Sequence, residues 1–290
     1  MSVVIPALNA ATTLGEQLEA LAAQVVDADW EIVVVDNGST DRTRQIAATG
    51  VHHERCRLRV VDEPRRGLNV ARNTGVREAH ADLIAICDAD DVVSPMWLNS
   101  MTSLLARKDI VCGSLEVRAI NSEETIQLRG WEDAHDPLPS IGRELRFLDQ
   151  LICGNVAFRR TVWTNVGGFD ENFGRGGDDV DFGWRVQLAG FTVGYSAEAV
   201  LHYRARTDRK SLLRQYIRDG EGSAHLYKLY RGKGMPSRRP SDSLRTIIWV
   251  LRHLPLLGRQ STATQGQVIR VADKQWGRIR GSIHHRVMYI

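Results

Sequence analysis

The first hundred residues alternate between short apolar runs and stretches of helical spacing, and this alternation limits the fold more than any other feature of the chain. Residues 2–6 (SVVIP), 31–36 (EIVVVD), 58–62 (LRVVD) and 83–87 (LIAIC) are rich in β-branched and other apolar side chains. A strand with one wet face would alternate polar and apolar residues. Nearly continuous apolar runs belong instead to strands covered on both faces, as in parallel sheets. The segments between them read as helices. Thr13 and Glu16 have the spacing of a capping box, followed by Leu18 and Leu21 in helical register with Leu14. Residues 41–48 and 69–79 suit two further helices. The expected class is α/β, a mostly parallel central sheet flanked by helices.

The middle of the chain is less regular. Residues 110–119 suit a strand, and 131–141, with Pro137 and Pro139, a loop. Residues 149–159 lead into a helical stretch at 161–166 and then a glycine-rich segment at 167–177. A helix over 180–188 and a strand over 194–202 complete the pattern.

Composition agrees with a globular protein, since 43% of the 290 residues are hydrophobic and 25% charged. The longest apolar run, near 246–258, is broken by Arg252 and His253 and is too short to span a bilayer. Val3-Val4-Ile5-Pro6 has no basic leader or cleavage site. Cys56, Cys87, Cys112 and Cys153 lack zinc-knuckle or CxxC spacing, so free thiols in a reducing, cytoplasmic setting are expected.

The net charge of +3 conceals a split. Residues 204–290 carry 19 Lys/Arg against 5 Asp/Glu, a net +14, whereas residues 1–203 carry a net −11. The chain therefore divides into an acidic body, 1–204, and a basic, mainly helical extension, 205–290. The extension has amphipathic stretches at 210–230 and 243–257, joined by a Gly/Pro/Ser/Arg linker at 232–241. Three readings fit it: a peripheral membrane or lipid-phosphate surface, a lid for an acceptor, or a solvated or dimer-forming face. A nucleic-acid partner is not expected, because Trp and Tyr are scattered rather than grouped as a stacking platform.

Carboxylates gather at the strand ends. Asp36 closes the second strand, and Asp88, Asp90 and Asp91 follow the fourth. Open α/β sheets bind ligands outside the carboxyl ends of their strands. Carboxylates buried together need a compensating cation, and oxygen ligands of this type suit Mg²⁺ or Mn²⁺. Each residue also has a plainer reading: Asp36 as a turn former before Asn37-Gly38, and Asp88–Asp91 as a helix cap. Gly176-Gly177-Asp178-Asp179-Val180-Asp181 offers a general base, or acids at a helix start. His202, at a strand end, is either structural or a metal ligand.

Taken in order, five motifs resemble the family 2 glycosyltransferases of the GT-A fold. They are Val3-Val4-Ile5-Pro6-Ala7-Leu8-Asn9, Asp36-Asn37-Gly38-Ser39-Thr40-Asp41, Gly67-Leu68-Asn69-Val70-Ala71-Arg72-Asn73-Thr74-Gly75, Asp88-Ala89-Asp90-Asp91, and Gly176-Gly177-Asp178-Asp179-Val180-Asp181-Phe182. Gly167-Gly168-Phe169-Asp170-Glu171 and His202 fit the family's later pattern. The resemblance implies inverting, non-processive transfer of a sugar from a UDP- or dTDP-linked donor to the hydroxyl of a glycan, a lipid-linked glycan or a small molecule.

It implies roles for matching residues. Asp36 would accept from the pyrimidine N3–H, Pro6 and Asn9 would flank the base, and Arg72 would sit at the nucleotide. Asp88 and Asp90 would form the DxD pair, with Asp90 on the metal and His202 completing metal or diphosphate contacts. Asp179 would be the base and Asp178 its acidic neighbour. Gly154, Asn155 and Gly177 would contact donor sugar or acceptor. Leu8 stands where the family often has an aromatic residue, and the acidic pair is Asp-Asp rather than Glu-Asp. Gln215-Tyr216-Ile217-Arg218 has part of the QxxRW pattern of processive synthases, but Asp219 replaces the Trp. Paired carboxylates also occur in glycoside hydrolases, and a sugar nucleotidyltransferase is a second rival. The latter lacks its glycine-rich N-terminal loop here, since residues 3–9 contain no glycine.

Overall fold

The structure is a computed structural model, and it describes every residue except 51–53, 132–137, 140, 143–144 and 175. The loop expected over 131–141 lies largely outside the described residues.

The chain opens with β1 (Ser2–Ala7), α1 (Leu14–Ala22), β2 (Trp30–Asp36), α2 (Thr43–Thr49), β3 (Cys56–Asp62), α3 (Leu68–Glu78) and β4 (Leu83–Cys87). The apolar runs thus become strands, and every residue of β1 and β2 is buried. These four strands pair in parallel in the order β3-β2-β1-β4. The order reverses direction between β1 and β4, the kind of switch point at which α/β sheets open a ligand crevice. Thr13 does start α1, but its side chain makes no cap; its hydroxyl donates to Ala10 O instead, so no capping box forms.

Beyond β4 come β5 (Val92–Val93), α4 (Trp97–Leu105), β6 (Ile110–Glu116), α5 (Glu123–Arg129), β7 (Leu138–Pro139), β8 (Ile141–Gly142), β9 (Gln150–Leu151) and β10 (Asn155–Arg159). Then follow α6 (Arg160–Val166), α7 (Asp178–Leu188) and β11 (Val193–His202). β10 runs antiparallel between β4 and β6, β11 lies parallel to β6, and β5 closes the edge antiparallel to β11. The short pair β8–β9 stands apart from the main sheet.

Period-2 alternation in the strands feeds two cores. Val3, Ile5, Ile32 and Val34 face Leu14, Leu18 and Leu21 of α1 and Trp97 and Leu98 of α4. Val4, Val33 and Val35 face Ala71 and Val76 of α3 and Phe182 and Val186 of α7. A third, smaller cluster joins Trp184 of α7 to Tyr230, Met235 and Tyr289 near the C-terminus.

The last eighty residues are helical: α8 (Arg209–Tyr230), α9 (Pro240–His253) and α10 (Thr262–His285). α8 and α10 cross at glycines. A methyl group on Gly220 would strike Lys274 O, and one on Gly277 would strike Ile217 O. No helix among the described residues is long and apolar enough to cross a membrane.

Candidate active site

A cleft of about 660 Å³ opens at the switch point. Pro6, Leu8 and Asn9 at the end of β1 line it together with Asp88 and Asp90 at the end of β4. Gly176, Asp178 and Asp179, at the start of α7, form a further wall. The sheet therefore brings together acids that lie about 90 residues apart in the chain.

Arg72 sits at the centre. α3 carries it inward, and its side chain is only 4% exposed. Nη1 donates to Asp178 Oδ2 at 3.1 Å, and Nη2 stands 3.7 Å from Asp88 Oδ1. Burial works against its charge, but Asp88 and Asp178 together hold its pKa above the ordinary value. The rest of its helix explains the GLNVARNTG motif. Asn69 Nδ2 donates to Asp170 O at 2.8 Å, and Asn73 Nδ2 donates to Phe169 O at 2.8 Å. Gly75 faces Val4 with no room for a side chain, so α3 lies tight on β1. Asn69 and Asn73 thus anchor the helix to the 167–171 loop, Thr74 donates to Glu63 Oε2 at 2.7 Å, and Arg72 turns to the carboxylates of the cleft.

The acidic loop after β4 is a cluster. One oxygen each from Asp88, Asp90 and Asp91 lies within 4.8 Å of the others. Desolvation by the surrounding cleft, reinforced by the charge of Asp88, pushes the Asp90 carboxyl up to about 6 although the residue stays exposed to solvent. Burial and both neighbours also raise Asp91. Arg204 secures this loop: its backbone N–H donates to Asp91 Oδ1 and its Nε to Asp90 O, each at 2.8 Å. Gln17 does so from the other side, donating to Asp88 O at 3.1 Å and accepting from Val93 N–H at 3.0 Å. Gly154 leaves room for Asp88, because a Cβ there would lie 2.6 Å from Asp88 Oδ2.

Asp179 is half-buried beside Asp178. Burial first, then the Asp178 charge, push its carboxyl up to about 7, while Arg72 pulls the other way. Its Oδ1 accepts from Val180 N–H at 2.8 Å. Gly176 and Gly177 precede it with φ of 94° and 93°, a conformation that favours glycine.

The other candidates occupy supporting places. Asp36 lies behind the cleft wall, 6% exposed, and its Oδ1 accepts from Ser39 N–H at 2.9 Å; its neighbour Asn37 lines the cleft. Asn9, in the left-handed region at φ 52°, accepts from Thr40 N–H at 2.8 Å and ties the β1 loop to the β2 loop. Asn155 is fully buried: its Oδ1 accepts from Trp97 Nε1 at 2.7 Å and its Nδ2 donates to Ser114 O at 2.8 Å. Neither Gly154 nor Asn155 is among the residues lining the cleft. The register of β11 sets His202 opposite Val92, the residue after Asp91, and its Nδ1 stands 2.7 Å from Glu116 Oε2. An ionised carboxylate only accepts, so Nδ1 carries the proton of that bond.

Sequence reading missed several cleft residues. Arg204 and Arg206 follow β11, and Gln215, Arg218 and Asp219 come from α8. The QxxR spacing was the available signal, because residues three apart share a helix face. Gln17 was also detectable, as a polar residue on the apolar face of α1. α8 reaches the site by backbone contact. A methyl group on Gly222 would strike Gly176 O, and one on Gly176 would lie 2.5 Å from Arg218 O.

An α/β sheet with an acid-lined cleft at its switch point is the architecture of a ligand-binding α/β protein. The family model described as Glycosyl transferase family 2 matches residues 2–165, and the chain belongs to that family. It is 29% identical over 227 residues to chondroitin synthase of Pasteurella multocida, covering 66% of this chain and 23% of that protein. It is 30% identical over 229 residues to validoxylamine A glucosyltransferase of Streptomyces hygroscopicus subsp. jinggangensis, covering 69% and 54%. The chain thus spans about half or less of these two curated relatives. Among solved structures, S. aureus TarS 1–349 in complex with UDP-GlcNAc aligns with a TM-score of 0.56 at 14% identity, covering 100% of this chain and 93% of that one. The mannosyltransferase PcManGT of Pyrobaculum calidifontis, in complex with GDP-Man and Mn²⁺, aligns with a TM-score of 0.58 at 21% identity, covering 97% and 72%. At those identities the structural matches speak for the fold.

Proposed function

We propose that this glycosyltransferase moves a sugar from a UDP- or dTDP-linked donor onto an acceptor hydroxyl with inversion, using Asp179 as the base. One observation carries the reading: Arg72 joins Asp88 and Asp178 across a single cleft, so the leaving-group half and the base half of the reaction share one buried cation.

In this reading the pyrimidine stacks near Pro6 and Leu8, and Asp36 accepts from its N3–H. The acceptor oxygen attacks the anomeric carbon as Asp179 takes its proton, and the nucleoside diphosphate leaves from the opposite face. Arg72 stabilises the negative charge that grows on the departing diphosphate. Asp178 keeps the guanidinium in place. Gly154 and Asn155 act one layer back: Gly154 seats Asp88, and Asn155 locks the adjoining strands.

The donor set of Asp88, Asp90 and Asp91 consists of carboxylate oxygens, which suits Mg²⁺ or Mn²⁺. Asp90, with Asp88, would hold such an ion, and His202 could add its Nε2 because Glu116 fixes the other ring nitrogen. When bound, the ion supplies Lewis-acid stabilisation of the leaving diphosphate.

A panel of nucleotide-sugars scored by thermal shift, with and without Mn²⁺, tests the class and the donor together. A uridine or thymidine diphosphate sugar should raise Tm most, and more so with the ion. A glycoside hydrolase would ignore the nucleotides. The same indifference here would overturn the reading.

A further inference from the structure

Helix α9 is mounted inside out. Leu244, Ile247, Ile248 and Leu251 are 59%, 38%, 39% and 64% exposed. At about 100° per residue they form a single stripe about 100° wide. Leu254 and Leu256, in the turn that follows, are also exposed. The opposite side meets the protein. Ser243 is buried and its hydroxyl donates to Ile290 O, while Trp249 and His253 are half-buried and stack on each other at 4.4 Å. A surface helix of a globular protein ordinarily turns its apolar stripe inward.

The charges around the stripe are of one sign. Arg245 and Arg252, seven residues apart and both exposed, run along one edge, and exposed Arg239 precedes the helix. From residue 231 to 252 six Lys/Arg stand against a single acid, Asp242. An apolar stripe edged by arginines on a helix too short to span a bilayer is the arrangement of a helix that lies in the headgroup layer. A second copy fits less well. Two stripes meeting antiparallel across a twofold axis would set the Arg245–Arg252 edges of both copies near one another, with one Asp per helix to offset them.

We propose that α9 docks this chain on an anionic lipid bilayer, with Leu244, Ile247, Ile248 and Leu251 among the upper acyl chains and Arg245 and Arg252 at the lipid phosphates. The proposal is independent of the glycosyl-transfer reading, since it requires neither a lipid acceptor nor a bound donor.

Co-sedimentation of the full chain with vesicles of equal parts phosphatidylglycerol and phosphatidylcholine tests it. The chain should pellet at low salt, bind less as salt rises, and bind pure phosphatidylcholine weakly. Ile248→Asn with Leu251→Asn should weaken the partition by about tenfold or more. Arg245→Gln with Arg252→Gln should cost about tenfold on anionic vesicles. Both changes lie at exposed positions, so circular dichroism and Tm should match the parent. The proposal fails if the parent stays in the supernatant at low salt, or if the Asn pair binds as well as the parent. It also fails if light scattering finds a dimer that the Asn pair dissociates, which would assign the stripe to a second copy.

Discussion

At the scale of single residues, the proposed reading rests on Arg72 and Asp179. Loss of a general base typically costs about 10²–10⁴-fold. Asp179→Asn should therefore lower kcat by about that factor in a sugar-transfer assay while leaving nucleotide affinity near the parent's. Full activity in this variant would remove Asp179 from the mechanism. The same carboxyl predicts a pH profile. A base works when ionised, and burial holds Asp179 up to about 7, so kcat/KM should rise about tenfold per pH unit below that value and level off above it. Stability should move the other way. The folded state keeps the Asp179 proton from its ordinary value of 3.8 up to about 7, where the unfolded chain has lost it. Stability therefore falls as pH rises through that window, and Asp179→Asn should melt above the parent by about 2–4 °C or more on the alkaline side, with no advantage at acid pH. The carboxylate motifs were legible in the sequence because their spacing at strand ends is local. Arg72's bridge was not, because it depends on how α3 packs against the start of α7.

The elements that build the cleft differ in how openly the chain declares them. The strands β1, β2 and β4 could be read from apolar continuity, since burial on both faces leaves that imprint. The antiparallel insertion of β10 between β4 and β6 could not, because strand order is a tertiary choice. Nor could the entry of α8 into the site, which depends on the backbone contact between Gly222 and Gly176. Gly222→Ala should push α8 off the 176–177 loop. We expect a loss of about 1–3 kcal/mol in chemical denaturation and a parallel fall in turnover. Gly232→Ala, with open space around it, is the control and should stay within about 0.5 kcal/mol. The far end of α8 is tied by Tyr230, whose hydroxyl donates to buried Asp181 Oδ1 at 2.7 Å. Tyr230→Phe should cost about 1–3 kcal/mol, because it leaves that oxygen without its donor.

At the scale of the whole molecule, the acidic body and basic extension meet at the cleft. The body supplies Asp88, Asp90, Asp178 and Asp179, and the extension supplies Arg206, Arg218 and Asp219. The charge split marked two regions in the sequence, and of the three readings of the extension only the acceptor lid had both regions lining one cavity. Removing divalent ions should bring these charges into play. EDTA should abolish transfer and lower Tm more at neutral than at acid pH, where Asp90 keeps its proton, and Mn²⁺ or Mg²⁺ should restore both. Undiminished turnover in chelator would exclude the ion from the reaction. The glycine contact between α8 and the loop before Asp178 also governs how such a chain can be re-engineered. A chimaera that swaps in another family member's C-terminal helices must bring a partner as slim as Gly222 to meet Gly176, or the graft will displace the base it was meant to re-address. If the extension reads the acceptor and Asp179 is the base, acceptor preference and catalytic competence would be inherited as a pair at this joint, and directed evolution of one should recover compensating changes in the other.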